Sequence, residues 1–180
     1  MIKPNNKNVL QEIYTTSKES FSVGYVICEN ETEILFKILD ELGRECALYL
    51  IKKERITALA VNTDYLQKIE VYMDYWNKKH YSLMSNMKMP IINEKFILSQ
   101  ILEFVINNNS IVTIRSLDSD NIETGFISKL DNETVLLRCI NIEDATIYNE
   151  VKILKDNIWL IEFNSIENDV LLYAYKNLRK

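Results

Sequence analysis

Apolar and polar positions follow the same order twice along this chain, at a spacing of 101 residues. The segment Gly24–Asp40, GYVICENETEILFKILD, corresponds to Gly125–Asn141, GFISKLDNETVLLRCIN. After one inserted residue the spacing becomes 102, and Ile51–Asn62 corresponds to Ile153–Asn164. The residue class agrees over about fifty positions, which predicts an internal duplication.

Each copy predicts five short strands, because β-branched and alternating residues favour strands and clusters of Asn, Asp or Lys end them. In the second copy these segments are Ile111–Leu117, Ile122–Ser128, Thr134–Ile142, Thr146–Leu154 and Ile158–Phe163. Turns are predicted at Asp118–Asn121, Asp131-Asn132 and Lys155–Asn157. A glycine within the second strand, Gly125 or Gly24, indicates a bend or bulge. Five short strands around such a bend predict a small closed or nearly closed barrel.

Two helices are predicted between the barrels. Asp64 with Gln67 resembles a capping box, and the residues at helical spacing that follow it are Leu66, Ile69, Tyr72 or Met73, and Trp76. Asn93 is predicted to cap a second helix, whose apolar face is Ile97, Ile101, Leu102 and Val105. Two domains and a linker follow: a first barrel over 1–76 with a trailing helix from about residue 64, a helix end and linker over 77–92, and a second barrel over 93–180 with a leading helix over 93–107.

The formal charge of −5 is carried entirely by the second half of the chain. Residues 1–90 contain 12 basic and 12 acidic side chains, whereas residues 91–180 contain 9 and 14. Nucleic-acid-binding proteins usually carry a basic excess, because the release of counterions drives much of their affinity. The charge therefore argues against general nucleic-acid binding, and most strongly for the second copy.

The cysteines and the N-terminal sequence predict a cytoplasmic protein. Cys28, Cys46 and Cys139 are odd in number and widely spaced, so they fit buried free thiols better than a disulfide framework or a zinc site. The N-terminal residues lack the apolar core of a signal peptide, and no run approaches the roughly 20 apolar residues of a membrane span. We expect no membrane association. Frequent Ile, Asn, Lys and Tyr are typical of an AT-rich genome, such as that of a low-GC bacterium.

Residues that could support catalysis are scarce. The three glycines are far apart, and a P-loop or a dinucleotide-binding loop needs clustered glycines. His80 is the only histidine, so no histidine pair can bind a metal, and its position favours a role at the end of a helix. The acidic pair Glu143-Asp144 is typical of a solvated turn. We therefore predict no enzyme activity, no cofactor and no metal.

A helix followed by five strands with a bent second strand resembles the Sm-like fold. The first motif of that family places an aspartate six residues after the glycine of the second strand. The corresponding pairs here are Gly125 with Asp131 and Gly24 with Asn30. The second motif is matched in spacing and apolar ends by Ile51–Ile56 and Ile153–Ile158. The resemblance implies a mainly β protein of two tandem five-stranded Sm-like barrels joined by helices; another SH3-like barrel is the alternative.

Sm-like proteins bind RNA through these two loops, and most of that signature is absent here. In the Sm-like family an asparagine follows the aspartate of the first motif, and the second motif contains an Arg-Gly pair. The asparagine is replaced here by Ile34 and Val135, and the Arg-Gly pair by Lys52-Lys53 and Leu154-Lys155. This favours a protein-interaction or scaffold module with a protein partner. The alternative is a single-stranded RNA-binding protein that uses the first barrel, with Lys52, Lys53, Arg55 and Lys37 as the candidate residues.

Two assembly states are compatible with a fused pair of barrels. Sm-like subunits form rings by strand pairing between neighbours, so three chains of two barrels could form a six-barrel ring. In the other state the two helices cover the sheet edges and keep the chain monomeric. The sequence favours the monomer.

Overall fold

A computed structural model describes residues 9–15, 20–80, 90–117 and 122–178 of the chain. Strands contain more of these residues than helices do, which confirms the prediction of a mainly β protein with helices. The chain divides into two compact units, Met1–Lys88 and Met89–Lys180. The turn predicted at Asp118–Asn121 and residues 81–89 of the predicted linker lie outside the described residues.

The first unit has five strands and one helix among its described residues. The strands are β1 (Gln11–Tyr14), β2 (Ser22–Glu29), β3 (Glu33–Leu39), β4 (Glu45–Lys52) and β5 (Ala58–Ala60), and the helix is α1 (Asp64–Lys78). A 3-10 turn, Lys53–Arg55, joins β4 to β5. The strands pair antiparallel in the order β5-β1-β2-β3-β4. No pair between β5 and β4, which would close a barrel, is found in the described part of this unit.

The second unit repeats this arrangement with an added helix at its start. Its elements are α2 (Ile97–Asn108), β6 (Ile111–Ser116), β7 (Ile122–Leu130), β8 (Thr134–Ile140), β9 (Ile147–Leu154), β10 (Ile158–Phe163) and α3 (Ile166–Asn177). Two 3-10 turns, Glu94–Phe96 and Lys155–Asn157, precede α2 and β10. The strands pair antiparallel in the order β10-β6-β7-β8-β9. Both ends of each of these strands lie within two residues of the predicted ends.

The two bending glycines occupy equivalent places in the two sheets. A Cβ atom on Gly24 would overlap the carbonyl oxygen of Lys37, with the carbonyl carbon only 2.8 Å away. A Cβ atom on Gly125 would overlap the carbonyl of Arg138 in the same way, again with the carbon at 2.8 Å. The β-bulges that follow are also equivalent, between Val26 and Cys28 and between Ile127 and Lys129. Close approach of neighbouring strands therefore requires a glycine at this position in each sheet.

The turn after the second strand is closed by one side chain in each unit. Asn30 Oδ1 accepts hydrogen bonds from the backbone N–H groups of Thr32 and Glu33, at 2.9 and 2.7 Å. In the second unit Asp131 takes this position and accepts from the N–H of Thr134 at 2.7 Å. Asp131 also accepts from the hydroxyl of Thr134 at 2.7 Å. These hydrogen bonds to the charged form lower the pKa of Asp131 to about 2.

The difference between Asp131 and Asn30 predicts that only the second unit has an acid-sensitive turn. The folded-state pKa of Asp131 is below its ordinary value of 3.8, so its stabilising contribution is complete above about pH 4 and is lost as the pH falls to about 2. We expect Asp131→Asn to reduce the pH dependence of the unfolding free energy in this range. Urea titrations at several pH values would test this, with Asn30→Ala as the control, since an amide has no such titration. An unchanged pH profile in Asp131→Asn would contradict it.

The N-cap of helix α1 lies one residue before the position that the sequence predicts. The N-cap is Thr63, whose hydroxyl accepts a hydrogen bond from Leu66 N–H at 3.1 Å, so the predicted cap at Asp64 is wrong. Asn62 precedes it with a φ of 58°, the left-handed conformation that turns the chain into the helix. The helix packs through Leu66 and Ile69 against the sheet, in a cluster that contains Leu10, Val23 and Leu39.

Helix α2 has the predicted apolar face but a different start. Ile97, Ile101, Leu102 and Val105 are all buried, as predicted. Asn93 caps the 3-10 turn before the helix, where its side chain accepts a hydrogen bond from Lys95 N–H at 3.0 Å. The regular helix therefore begins at Ile97 rather than at residue 93.

Helix α3 is missing from the sequence prediction, although the repeat contains it. Ser165 caps this helix by accepting a hydrogen bond from Asn168 N–H at 3.1 Å, and Asn164 before it has a φ of 46°. Ser165 and Asn164 are the counterparts of Thr63 and Asn62 at the spacing of 102. The helix packs on a buried cluster of the second sheet: Ile111, Phe126, Ile140 and Ala145. Each unit therefore ends in a capped helix that covers its own sheet.

Candidate functional site

The two turns that the Sm-like resemblance associates with RNA lie side by side in the first unit. The backbone N–H of Lys53 donates to the carbonyl oxygen of Thr32 at 2.8 Å. The ammonium group of Lys53 donates to the carbonyl oxygen of Asn30 at 2.5 Å. We call residues 29–33 and 52–55 the paired turns. The second unit has the same backbone contact, from Lys155 N–H to Glu133 O at 2.8 Å.

Lys53 has a structural role in the paired turns. Its Nζ lies 2.5 Å from Glu29 Oε2, and the two side chains are only 26% and 22% exposed. An ion pair with this limited exposure neutralises the lysine and fixes its position. Lys52 and Arg55 are half-buried beside it.

Lys37 does not lie beside the paired turns. It is four residues along β3 from Glu33, whose register partner is Lys52. At about 3.4 Å per residue, this places Lys37 roughly 13 Å from that end of the strand. Its Nζ forms an ion pair with Glu45 Oε1 at 2.9 Å. Of the four candidate RNA-binding residues, three therefore lie together and Lys37 lies apart.

Acidic side chains outnumber basic ones at the paired turns. Four carboxylates accompany the three basic residues of the turn: Glu29, Glu31, Glu33 and Glu54. Phosphate groups bind where a basic excess attracts them. The local charge therefore weakens the case for RNA at this end of the first unit.

Replacing Lys53 is expected to affect stability. Lys53→Ala removes the partner of Glu29 and the hydrogen bond to Asn30, so we expect a loss of about 1–2 kcal/mol of unfolding free energy, allowing for partial exposure. Lys155→Ala is the matched control, because the counterpart of Glu29 is Leu130 and offers no carboxylate. Chemical denaturation of the two variants would test this. Equal losses would show that the ion pair contributes nothing.

Large apolar side chains are exposed on the outer face of α1. Val71 and Tyr75 are 68% and 52% exposed, although Leu66 and Ile69 on the opposite face are buried. Tyr72 is also exposed beside them. Trp76 lies at the edge of this surface, and its ring N–H donates to the carbonyl oxygen of Leu42 at 2.7 Å. The helix therefore has one apolar face for its own sheet and a second one facing solvent.

Helix α3 also exposes apolar side chains, and one of them lies at the position equivalent to an exposed apolar residue of α1. Val170 and Tyr173 are 63% and 71% exposed. Tyr173 is the counterpart of Val71 at the spacing of 102. Exposed apolar groups at the same place in both copies are more informative than single ones, because scattered exposed hydrophobic residues are normal on protein surfaces.

The cysteines are arranged as structural thiols. Cys139 is buried, and its Sγ donates to Glu123 Oε2 at 3.3 Å, an oxygen that also accepts from the Tyr148 hydroxyl at 3.3 Å. Burial and the neighbouring carboxylate raise the pKa of Cys139 to about 12, so the thiol stays protonated and a poor nucleophile. Cys28 is buried as predicted, but Cys46 is only half-buried, so the prediction fails there. None of the three forms a disulfide.

The buried carboxylate of Glu12, on β1, lies beside the start of α1 and also has a structural role. Glu12 is only 3% exposed, and its two oxygens accept hydrogen bonds from Thr63 at 2.5 Å and from the Tyr14 hydroxyl at 2.8 Å. The bond to Glu12 raises the pKa of Tyr14. In the second unit neutral Thr113, the counterpart of Glu12, pairs with the hydroxyl of Thr124 at 2.9 Å. Glu12 joins the cap of α1 to β1 and has no substrate-facing geometry.

Other features that would point to a known function are missing from the described residues. No group of three or more His, Cys, Asp or Glu side chains within 9–15, 20–80, 90–117 and 122–178 is arranged to hold a metal ion. In the same residues, no helix combines the length and apolarity needed to span a membrane. No family model matches the chain, and comparison with curated proteins and with solved structures also gave no match.

Proposed function

We propose that this chain is a non-enzymatic binding module of two tandem Sm-like units that mediates protein–protein interaction in the cytoplasm. The observation that carries the proposal is that α1 and α3 each expose apolar side chains, with Val71 and Tyr173 exposed at one equivalent position. Apolar side chains on a helix face that does not contact the unit's own sheet provide area for a partner to bury. Two such surfaces in one chain suit a scaffold that holds two partner segments.

The Sm-like part of the proposal is supported by the strand order and by the glycine position in each unit. Five antiparallel strands run from the last strand of the unit through the first to the fourth, with a glycine-dependent close approach in the second. The two motif loops lie next to each other. We infer that the sheets curve into small barrels of this type, with another SH3-like barrel as the alternative.

A non-catalytic role is supported by the chemistry of the titratable groups. The thiol of Cys139 has a raised pKa, and each oxygen of the buried Glu12 carboxylate accepts a hydrogen bond within the unit. A nucleophile or general base needs a suitable pKa and access to a substrate. Neither group meets both conditions.

Binding of single-stranded RNA by the first unit is the second candidate function. It is favoured by one observation, the adjacency of the paired turns with Lys52, Lys53 and Arg55. Fluorescence anisotropy with U-rich and A-rich oligonucleotides at low salt would test it. Lys52→Ala and Arg55→Ala should weaken binding, and affinity should fall steeply with salt. An absence of binding at low salt would rule this function out.

The assembly state is part of the proposal. We propose a monomer, since the exposed strand β9 carries charged side chains at Glu150 and Lys152, and charge on an exposed strand opposes pairing with another chain. A ring-forming homo-oligomer is the alternative. Light scattering at several concentrations distinguishes the two, because a ring of three or more chains gives a multiple of the monomer mass of 21.2 kDa.

The protein-binding function is tested by co-purification of the full-length chain from its own cells, with and without nuclease. We expect a stoichiometric protein partner that survives nuclease treatment. Val71→Asp or Tyr173→Asp should reduce its recovery, because a charge on the exposed apolar surface opposes burial. Glu143→Gln is the control, since it alters an exposed side chain outside α1 and α3. Recovery of RNA alone, or of nothing, would overturn the proposal.

A further inference from the structure

The outer surface of α1 is divided into two flanks of different chemistry. At 100° per residue, the aromatic and lysine side chains share one flank of the helix. We call it the aromatic–lysine flank, and its members are Tyr65, Lys68, Tyr72, Tyr75 and Lys79. The opposite flank contains Glu70 and Asp74. Val71, which is 68% exposed, lies between the two flanks.

The lysines of the aromatic–lysine flank are held over tyrosine rings. Lys68 Nζ lies 4.2 Å from the centroid of the Tyr65 ring and 5.7 Å from that of Tyr72. Lys79 Nζ lies 5.8 Å from the centroid of the Tyr75 ring. Cation–π contacts of this kind fix the position of an ammonium group without neutralising its charge.

These two lysines differ from three other lysines of the first unit. Lys37, Lys53 and Lys78 each form an ion pair with a carboxylate. Within the described residues, Lys68 and Lys79 form no such pair. The flank therefore presents two positive charges at defined positions beside exposed Tyr72 and Tyr75.

We propose that the aromatic–lysine flank binds an acidic segment of a partner protein that carries apolar anchor residues. The carboxylates of the segment would pair with Lys68 and Lys79, and its apolar side chains would pack on Val71 and the tyrosine rings. Charge complementarity and exposed aromatic area together are what such a segment requires. This inference rests on the proposed protein-binding function and specifies its partner at α1.

Nucleic acid fits this flank less well, although lysines and aromatic rings also bind single strands. Stacking of bases requires open ring faces. The ring of Tyr65 has Lys68 over it at 4.2 Å, and its other neighbour Phe21 packs edge-on at 5.2 Å. An acidic peptide carries fewer negative charges than a nucleic-acid strand, and its apolar side chains can pack on Val71.

The test uses the full-length chain and a fluorescein-labelled synthetic peptide with Leu and Phe at helical spacing among Glu residues. Two further probes are a peptide with Lys in place of Glu, and oligo(U). We expect the acidic peptide to bind and the basic one to bind far more weakly. Lys68→Glu or Lys79→Glu should weaken the binding of the acidic peptide by about tenfold, since a favourable charge pair becomes a repulsive one. Lys176→Glu on α3 is the matched control for the change in net charge.

The outcomes separate this inference from the proposed function. Failure of the acidic peptide to bind, equal binding of the basic peptide, or preference for oligo(U) would each overturn it. An equal loss in Lys176→Glu would do so too, because the effect would then be one of net charge. If cells yield a protein partner whose recovery depends on Tyr173 but not on Lys68 or Val71, the binding function stands and this site is wrong. If no partner is recovered, both fail.

Discussion

Replacing Gly24 with alanine should cost about 3 kcal/mol of unfolding free energy, one of the largest losses for a single methyl group in this chain. The added Cβ would overlap the backbone carbonyl of Lys37 on the neighbouring strand. Backbone atoms of a paired strand cannot rotate away as a side chain can, so β2 and β3 would have to separate locally. Gly125→Ala is expected to cost a similar amount, because the carbonyl of Arg138 occupies the same place in the second unit.

The sign of this effect distinguishes close approach from simple flexibility. Where a glycine has room for a side chain, alanine stabilises a protein by about 0.4–1 kcal/mol through the unfolded state. Close approach of the strands predicts that alanine lowers the unfolding free energy, whereas flexibility alone predicts that alanine raises it. Urea denaturation of Gly24→Ala and Gly125→Ala therefore distinguishes the two explanations. Gly43→Ala is a useful comparison, since Gly43 has a φ of 76° and nearest neighbours at 3.1 Å, and its cost should be nearer 1 kcal/mol. An increase in stability for Gly24→Ala would contradict the close approach.

The strands were predictable because their signals are local. Each strand is indicated by alternating apolar residues, a polar turn and, in one strand, a glycine, all within about ten residues. The duplication provides a second copy of each signal. The counterparts Ile13 and Ile114 occupy matching register positions in β1 and β6, opposite Leu59 and Ile161. Closure of each sheet into a barrel is predicted from five strands and one bending glycine, and it depends on curvature that the pattern does not contain.

Helix α3 was missed because its apolar face is weak. Its first turn is polar, and only Asn168 among its residues is buried. Continuing the spacing of 102 beyond Asn164 would have aligned it with α1, since Ser165 falls on Thr63. The cap of α1 was misplaced for a related reason. Thr63 and Asp64 are both good cap residues, and only the extended backbone of Thr63, with a φ of −77° and a ψ of 159°, decides between them.

The candidate site was only partly predictable, because ion pairs depend on strand register. The basic run Lys52–Arg55 is visible in the sequence, but Lys53 pairs with Glu29, 24 positions away. Lys37 pairs with Glu45 across β3 and β4. Helical spacing predicts one stripe on α1 that continues through either Tyr72 or Met73, and in the structure Met73 packs against the core whereas Tyr72 is exposed. That division depends on which side of the helix faces the sheet, which periodicity gives only approximately.

The aromatic–lysine flank can act only while α1 is held on its sheet. Leu66 and Ile69 are the only fully buried residues of this helix, so its docking depends on a small apolar contact. A helix of this length is marginal without tertiary packing. Leu66 and Ile69 lie on the face opposite the proposed partner, and they therefore affect both the stability of the unit and the binding of the partner.

Ile69→Ala is accordingly expected to cost about 3–4 kcal/mol of unfolding free energy, through lost burial and the cavity that remains. Val71→Ala is the matched control: it also replaces a β-branched residue with alanine in α1, but at a side chain that is 68% exposed. It should change stability by less than about 0.5 kcal/mol. Because both changes raise helix propensity alike, the difference between them measures the packing of α1.

The measurement is urea denaturation of both variants, with amide hydrogen exchange of α1 under native conditions. If Ile69 holds the helix, Ile69→Ala should accelerate exchange in α1 more than in the neighbouring strands, because the helix would detach before the sheet unfolds. The acidic peptide should then bind Ile69→Ala more weakly even though no flank residue has changed. Stability and exchange equal to those of Val71→Ala would mean that α1 does not depend on this contact, and that its flank is positioned by Trp76 and Leu42 instead.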